Sequence, residues 1–201
     1  MEIMETIVFV GSLFIVIYLF IMQPNQIKGG SMEPTFVEGQ YIFTSKVTYK
    51  MRKPIRGDVI VFHSPKNKDI EFIKRIIGLP GETVLIESNE IYINGVRIDE
   101  NYISAKTSLI PGSQISEGVP LTIPEDSLFV MGDNRPRSSD SREFGTIQIS
   151  SVVGQVFFRY FPADKMGQTK HPKYPGKIST LRGIEKNLSR EFQSFFPSLQ
   201  A

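Results

Sequence analysis

The chain contains no cysteine. That excludes a disulfide framework, a thiolate zinc site, an iron–sulfur centre and a cysteine nucleophile. Histidine is scarce: His63 and His171 are the only two in 201 residues. A multi-histidine metal site is therefore not expected, and hydrolysis would have to proceed without imidazole. Neither has a recognisable triad setting, since His63 follows an apolar run at a Ser-Pro turn and His171 lies in a polar tail. Charge bias is nearly absent too, with 23 Lys and Arg against 21 Asp and Glu. Hydrophobic residues make up 40% and charged residues 22%, which excludes wholesale disorder and collagen-like repetition. No internal repeat is evident. The length suits one domain of moderate size, two at most.

Charge is also missing from Thr6 to Ile27. The apolar part of this stretch, 6–22, has 17 residues. At about 1.5 Å per residue it spans about 26 Å, just enough for a hydrocarbon core of about 30 Å. A cleaved signal would want a basic start and a small-residue cleavage site. Glu2 and Glu5 precede this run and Met22-Gln23-Pro24-Asn25 follows it, so an uncleaved transmembrane anchor is expected after a short tail, 1–5. The positive-inside rule is a poor guide to its orientation, because long domains cross largely regardless of charge.

Beyond the anchor the pattern is mostly β. Apolar runs occur at 58–62, 71–77 and 82–87, and again at 127–131 and 151–161. Ile91-Tyr92-Ile93, Asn94-Gly95 and Val96-Arg97-Ile98 read as a tight hairpin, since Asn-Gly suits the positive φ of a type I′ turn. Short, evenly spaced strands point to an antiparallel sheet or barrel-like domain over 23–163. Within it, 101–125 reads as an irregular excursion broken by Pro111, Pro120 and Pro124. Residues 164–201 form a polar tail in which Ile184, Leu188, Phe192, Phe195 and Phe196 recur at helical spacing, predicting an amphipathic helix at about 181–196. That helix could pack on the domain or lie on a membrane surface.

Residues 46–75 carry nine Lys or Arg and three Asp or Glu. These cations do not interleave with aromatics as in a nucleic-acid module, so lipid headgroups or plain solvent are the expected partners and nucleic acid is not.

Four clusters could carry chemistry. Gly29-Gly30-Ser31-Met32-Glu33-Pro34-Thr35 sets a serine after two glycines, although alone it could be a linker. Arg56-Gly57-Asp58-Val59 reads as a turn entering a strand. In Phe72-Ile73-Lys74-Arg75-Ile76-Ile77-Gly78-Leu79-Pro80-Gly81-Glu82 two cations interrupt an apolar strand. Successive side chains face opposite sides, so one of the two must meet the apolar side, either snorkelling or desolvated. Gly132-Asp133-Asn134-Arg135-Pro136-Arg137-Ser138-Ser139-Asp140-Ser141-Arg142 crowds charges and hydroxyls after a strand, as a solvated turn or as a loop that supports a site.

In this order behind one apolar segment, the four elements resemble those of the bacterial type I signal peptidases, over most of the chain to about Phe161. The resemblance implies a mainly β catalytic domain, of the kind shared with self-cleaving repressors, on a single transmembrane helix. It implies a serine endopeptidase of the plasma membrane, with its catalytic domain on the extracytoplasmic side, that removes signal peptides from exported precursors after small residues of Ala-x-Ala type. It further implies Ser31 as nucleophile and Lys74 as general base, acting through an acyl-enzyme. The lysine must be neutral to act. A free lysine titrates near ~10.4, so work near neutrality needs that value lowered by roughly 2–3, about 3–4 kcal/mol. Burial among Phe72, Ile73, Ile76 and Ile77 has the right sign, and Arg75 would add cationic repulsion.

By the same match, Ser138 orients the lysine, Asp140 and Arg142 form a structural ion pair, and Asp133 and Arg135 support the same loop. The oxyanion donors would be the Ser31 backbone N–H and the Gly29 region, where some relatives carry a serine hydroxyl and a backbone N–H or water would stand in here. Ile27, Met32, Phe36, Phe72 and Ile73 would line shallow pockets that reject large side chains by overlap. No metal and no cofactor is implied. The partners are precursor proteins and membrane lipids. The competing readings are a specialised Ser–Lys peptidase of pilin or conjugation type and a non-catalytic, membrane-tethered β binding module. A self-cleaving repressor would need a DNA-binding domain where this chain has its apolar segment.

Overall fold

The computed structural model describes residues 2–109, 112–172 and 174. Its strands in chain order are β1 (Met22–Gln26), β2 (Tyr41–Ser45), β3 (Val59–His63), β4 (Glu71–Gly78), β5 (Thr83–Glu87) and β6 (Glu90–Ile93). They continue with β7 (Val96–Arg97), β8 (Leu121–Thr122), β9 (Ser127–Met131), β10 (Ile147–Gln148), β11 (Val152–Phe161) and β12 (Gly167–Gln168). The helices are α1 (Glu2–Val16), α2 (Thr48–Met51) and α3 (Ser141–Phe144).

All pairings are antiparallel. The larger sheet runs β1-β2-β11-β3-β4-β9-β10, with β12 added along β11. The smaller runs β7-β6-β5-β8. The mainly antiparallel character expected from the strand spacing is what the structure has. Long β11 is the organising element, pairing with β2 on one side and β3 on the other. The predicted hairpin forms with Ile93 opposite Val96, and both turn residues have positive φ, 52° at Asn94 and 77° at Gly95. That geometry suits the twist of the flanking strands.

Three apolar clusters hold the domain together. One joins the smaller sheet to β9 through Val84, Ile91, Ile93, Phe129 and Met131. A second, with Ile27, Met32, Phe36, Ile42, Val59 and Val156, lies under the β1–β2 connection. The third packs Ile60, Phe62, Ile76, Leu128 and Val130 on the larger sheet's other face. Each strand that contributes to two clusters is therefore desolvated on both faces, which is why β3 and β9 read as continuous apolar runs rather than alternating ones.

The chain before the domain departs from the simplest expectation. α1 has 15 residues and is followed by a π-helical segment, Ile17–Ile21, after which Met22 already belongs to β1. No helix among the described residues is long and apolar enough to cross a membrane. α1 buries none of its residues against the domain. The excursion at 101–125 is irregular among its described residues until β8, which pairs with β5. The amphipathic helix expected at about 181–196 lies outside the described residues.

Candidate active site

The β1–β2 connection leaves and re-enters the sheet at one point. Ile27 N–H donates to Gln40 O at 2.8 Å, and Gly39 N–H donates to Ile27 O at 3.0 Å. Ile27, Met32 and Phe36 sink into the core beneath it, so apolar burial pins the loop from inside. Ser31 sits beside the fully buried Met32 and cannot drift far from it. Two further bonds hold the serine turn from outside: Asn134 N–H donates to Ser31 O at 3.0 Å, and Asn134 Nδ2 donates to Gly30 O at 2.9 Å.

Lys74 comes from β4, paired opposite Ile60 of β3. Its Nζ donates to Ser31 Oγ at 2.8 Å. The side chain is only 4% exposed, and its ammonium lies 5.3 Å from the Phe72 ring centroid. No carboxylate forms an ion pair with it among the described residues. Burial lowers its pKa from 10.5 to about 8; Asp140 and Asp133 oppose that fall and Arg142 assists it. The cationic assistance comes from Arg142, not from Arg75 as expected.

Arg75 turns to the other side of β4 and is buried as well. Its Nε and Nη2 bind the two oxygens of Asp133 at 2.8 and 2.6 Å, and Nη1 donates to Gly57 O at 2.9 Å. The Tyr102 ring covers the guanidinium at 4.3 Å. Asp133 Oδ2 also accepts from Thr35 Oγ1 at 2.5 Å, which ties this pair to the serine loop. Strand alternation led one of the two cations to be expected on an apolar side. Both are desolvated, and only Arg75 is given a carboxylate.

The loop after β9 folds around Arg142. Its Nε and Nη2 meet Asp140 Oδ1 and Oδ2 at 2.8 and 2.9 Å, while Nη2 reaches Arg135 O at 2.7 Å and Nη1 reaches Ser108 O at 2.8 Å. Asp140 also accepts from Gly132 N–H at 3.1 Å. Asp133 and Arg135 do not pair with each other. Asp133 takes Arg75, while Arg135 binds Glu100 and Thr107 from the excursion. Ser138 is not joined to Lys74: its Oγ is buried and has no hydrogen-bond partner among the described residues. It lies instead against Gly132, where an added Cβ would meet Ser138 Oγ at 2.2 Å and Ser31 O at 2.4 Å.

Ser31 and Lys74 face a cleft of about 790 Å³ between the β1 side of the serine loop and the first half of β4. Ile27, Gly29, Phe72 and Ile73 line it, together with Arg137 and Ser139. Met32 and Phe36 do not; both are buried beneath the loop, packed with Ile42, Val59 and Val156 in the core. No group of acidic, histidine or cysteine side chains among the described residues could hold a metal ion. Asn134, Thr35, Tyr102 and Glu100 were not singled out from the sequence. Asn134 stood inside a quoted motif, but its partners lie about 104 positions away.

The family model described as signal peptidase, peptidase S26, matches residues 1–161. A probable signal peptidase I-2 from Synechocystis is 36% identical over 172 residues, 83% of this chain and 76% of that protein. A signal peptidase IB from Staphylococcus aureus is 34% identical over 186 residues, 86% of this chain and 96% of that protein. Among solved structures, a signal peptidase I from Enterococcus faecalis is 41% identical, covering 52% of this chain and 97% of its own, with a TM-score of 0.43.

Proposed function

Because the chain belongs to the signal peptidase family, peptidase S26, we propose that Ser31 and Lys74 form the dyad with which it removes signal peptides from precursor proteins. It is a serine endopeptidase of the signal peptidase I kind. The observation that carries the dyad is the 2.8 Å contact between Lys74 Nζ and Ser31 Oγ, made by a lysine that is almost fully buried.

In the first half-reaction Ser31 Oγ bonds to the scissile carbonyl carbon while its proton passes to neutral Lys74. The Ser31 backbone N–H stabilises the oxyanion. Collapse of the tetrahedral adduct breaks the C–N bond, and the ammonium of Lys74 returns its proton to the leaving amine. Water then attacks the ester, again giving its proton to Lys74, and the serine is released.

The precursor lies extended in the cleft. β4 pairs with β9 only from Arg75 onward, so Glu71–Lys74 keeps an open edge, and β1 is the outermost strand of its sheet. An open edge accepts an added strand through main-chain bonds, leaving specificity to alternate side chains. Ile27, Phe72 and Ile73 admit small side chains before the cut and exclude large ones. Residues 6–22 anchor the domain in the plasma membrane, with the catalytic side facing away from the cytoplasm. The absence of charge from Thr6 to Ile27 and the outward exposure of α1 support this placement.

The test is incubation with a precursor carrying Ala-x-Ala before the cut. Ser31→Ala and Lys74→Ala should each abolish cleavage, and replacing the Ala before the cut with Phe should do the same to the substrate. Wild-type cleavage by either variant would refute the dyad.

A further inference from the structure

We infer that Asn134 is a positioning residue: its side chain sets the plane of the Gly30–Ser31 peptide and so aims the Ser31 N–H, the donor that stabilises the oxyanion. The inference rests on the Ser31–Lys74 reading and adds to it a residue that never touches substrate.

Three contacts define the arrangement. Asn134 Nδ2 donates to Gly30 O at 2.9 Å and lies 3.4 Å from Glu33 Oε2. Both neighbours are acceptors, so chemistry alone requires the amide nitrogen on that side. Separately, Asn134 N–H donates to Ser31 O at 3.0 Å. One residue therefore grips two consecutive carbonyls of the nucleophile turn, one through its side chain and one through its main chain.

These two grips do different work. Gly30 O and Ser31 N belong to the same peptide unit. That unit is planar and trans, so its C=O and N–H point in opposite directions. Fixing the oxygen fixes the N–H on the far side. The bond to Gly30 O also polarises the unit and strengthens its N–H as a donor. The main-chain bond to Ser31 O instead anchors the loop, and every substitution at position 134 except proline leaves it available.

The need for this control comes from the residues around the serine. Gly29 has no side chain to supply a second oxyanion donor. Gly30 lacks a Cβ to restrict its backbone, and within the turn its carbonyl meets only the Glu33 N–H at 3.3 Å, so the shorter 2.9 Å bond from Asn134 is the firmer hold on its peptide. Asn134 itself is buried, and its place just after Asp133 couples it to the Arg75 pair. The turn is held by a rigid neighbour rather than by its own side chains.

The test compares Asn134→Asp and Asn134→Ala with the full-length enzyme in detergent. Asn134→Asp keeps the shape but turns the donor into an acceptor facing Gly30 O; Asn134→Ala removes the contact should the aspartate variant not fold. Either should lower kcat about 10–100-fold with KM within about twofold, since the lost interaction matters only once the oxyanion forms. A peptide aldehyde, which Ser31 converts to a tetrahedral adduct, should lose affinity by a similar factor. A non-cleavable peptide of the same sequence should bind unchanged, and in Asn134→Ala, which adds no charge, the pH at which activity rises should not move. Unchanged kcat overturns the inference. So does an equal loss of affinity for the aldehyde and the non-cleavable peptide, which marks general disruption of the loop. Cleavage surviving in Ser31→Ala is a different result and overturns the dyad beneath it.

Discussion

Arg75 and Asp133 meet in a buried two-bond ion pair, one residue along the strand from Lys74. Asp133 also takes the Thr35 hydroxyl, so the same carboxylate joins β4 to the serine loop. Asp133→Ala leaves a buried guanidinium without its counter-charge, and should cost about 3–5 kcal/mol. Denaturant unfolding measures this. Arg75→Lys should fall well short of restoring the pair, because an ammonium cannot make the two parallel bonds.

The pH profile of kcat/KM should rise with its midpoint near the Lys74 pKa of about 8. The sign follows from the role: only the neutral amine accepts the Ser31 proton, so activity is low below that pH and climbs through it. A flat profile between pH 6 and 9 would contradict the assignment.

Lys74→Met should make the protein inactive and more stable. The folded pKa lies below the unfolded value, so between about 8 and 10.5 the unfolded chain binds more protons, and wild-type stability rises with pH across that window. Below it, keeping the lysine buried costs on the order of 3 kcal/mol, using about 1.36 kcal/mol per pH unit. The methionine variant removes that cost. Its gain in unfolding free energy at pH 7 should shrink toward pH 10.

Gly132→Ala should damage both fold and activity. The new methyl would sit 2.4 Å from Ser31 O, a main-chain atom that cannot yield without moving Ser31. A kcat loss of at least about tenfold, with a destabilisation of about 1–3 kcal/mol, is expected from such overpacking. Steady-state kinetics and thermal unfolding report the two effects separately.

The parts of the molecule that could be read in advance are those governed by local rules. The Asn94-Gly95 hairpin follows from positive φ, and β3, β4 and β9 follow from dense apolar runs. β1, β2, β8, β10 and β12 were not foreseen. Pro24 sits in the middle of β1, and Gln23, Asn25 and Gln26 give no apolar alternation; that strand exists because it is an edge paired with β2. The candidate dyad was legible through its motifs, but its supports were not. Ser138 was matched to the lysine and instead faces Gly132, while Met32 and Phe36 were matched to substrate pockets and instead anchor the loop. Each depends on which way a side chain turns once several elements meet, and sequence order carries no record of that.

By itself the sequence determined the chemical inventory: no thiol, almost no imidazole, a serine between glycines and apolar positions, and a lysine inside an apolar strand. Only the folded chain decided that this lysine would be the cation left without a carboxylate. Arg75, its immediate neighbour, is buried just as deeply and is fully paired. The difference arises because strand alternation sends the two side chains apart, and β9 delivers Asp133 to one side of β4 while the β1–β2 loop delivers Ser31 to the other. A charge with a partner keeps its proton; an amine that meets only a hydroxyl in a dry site gives it up.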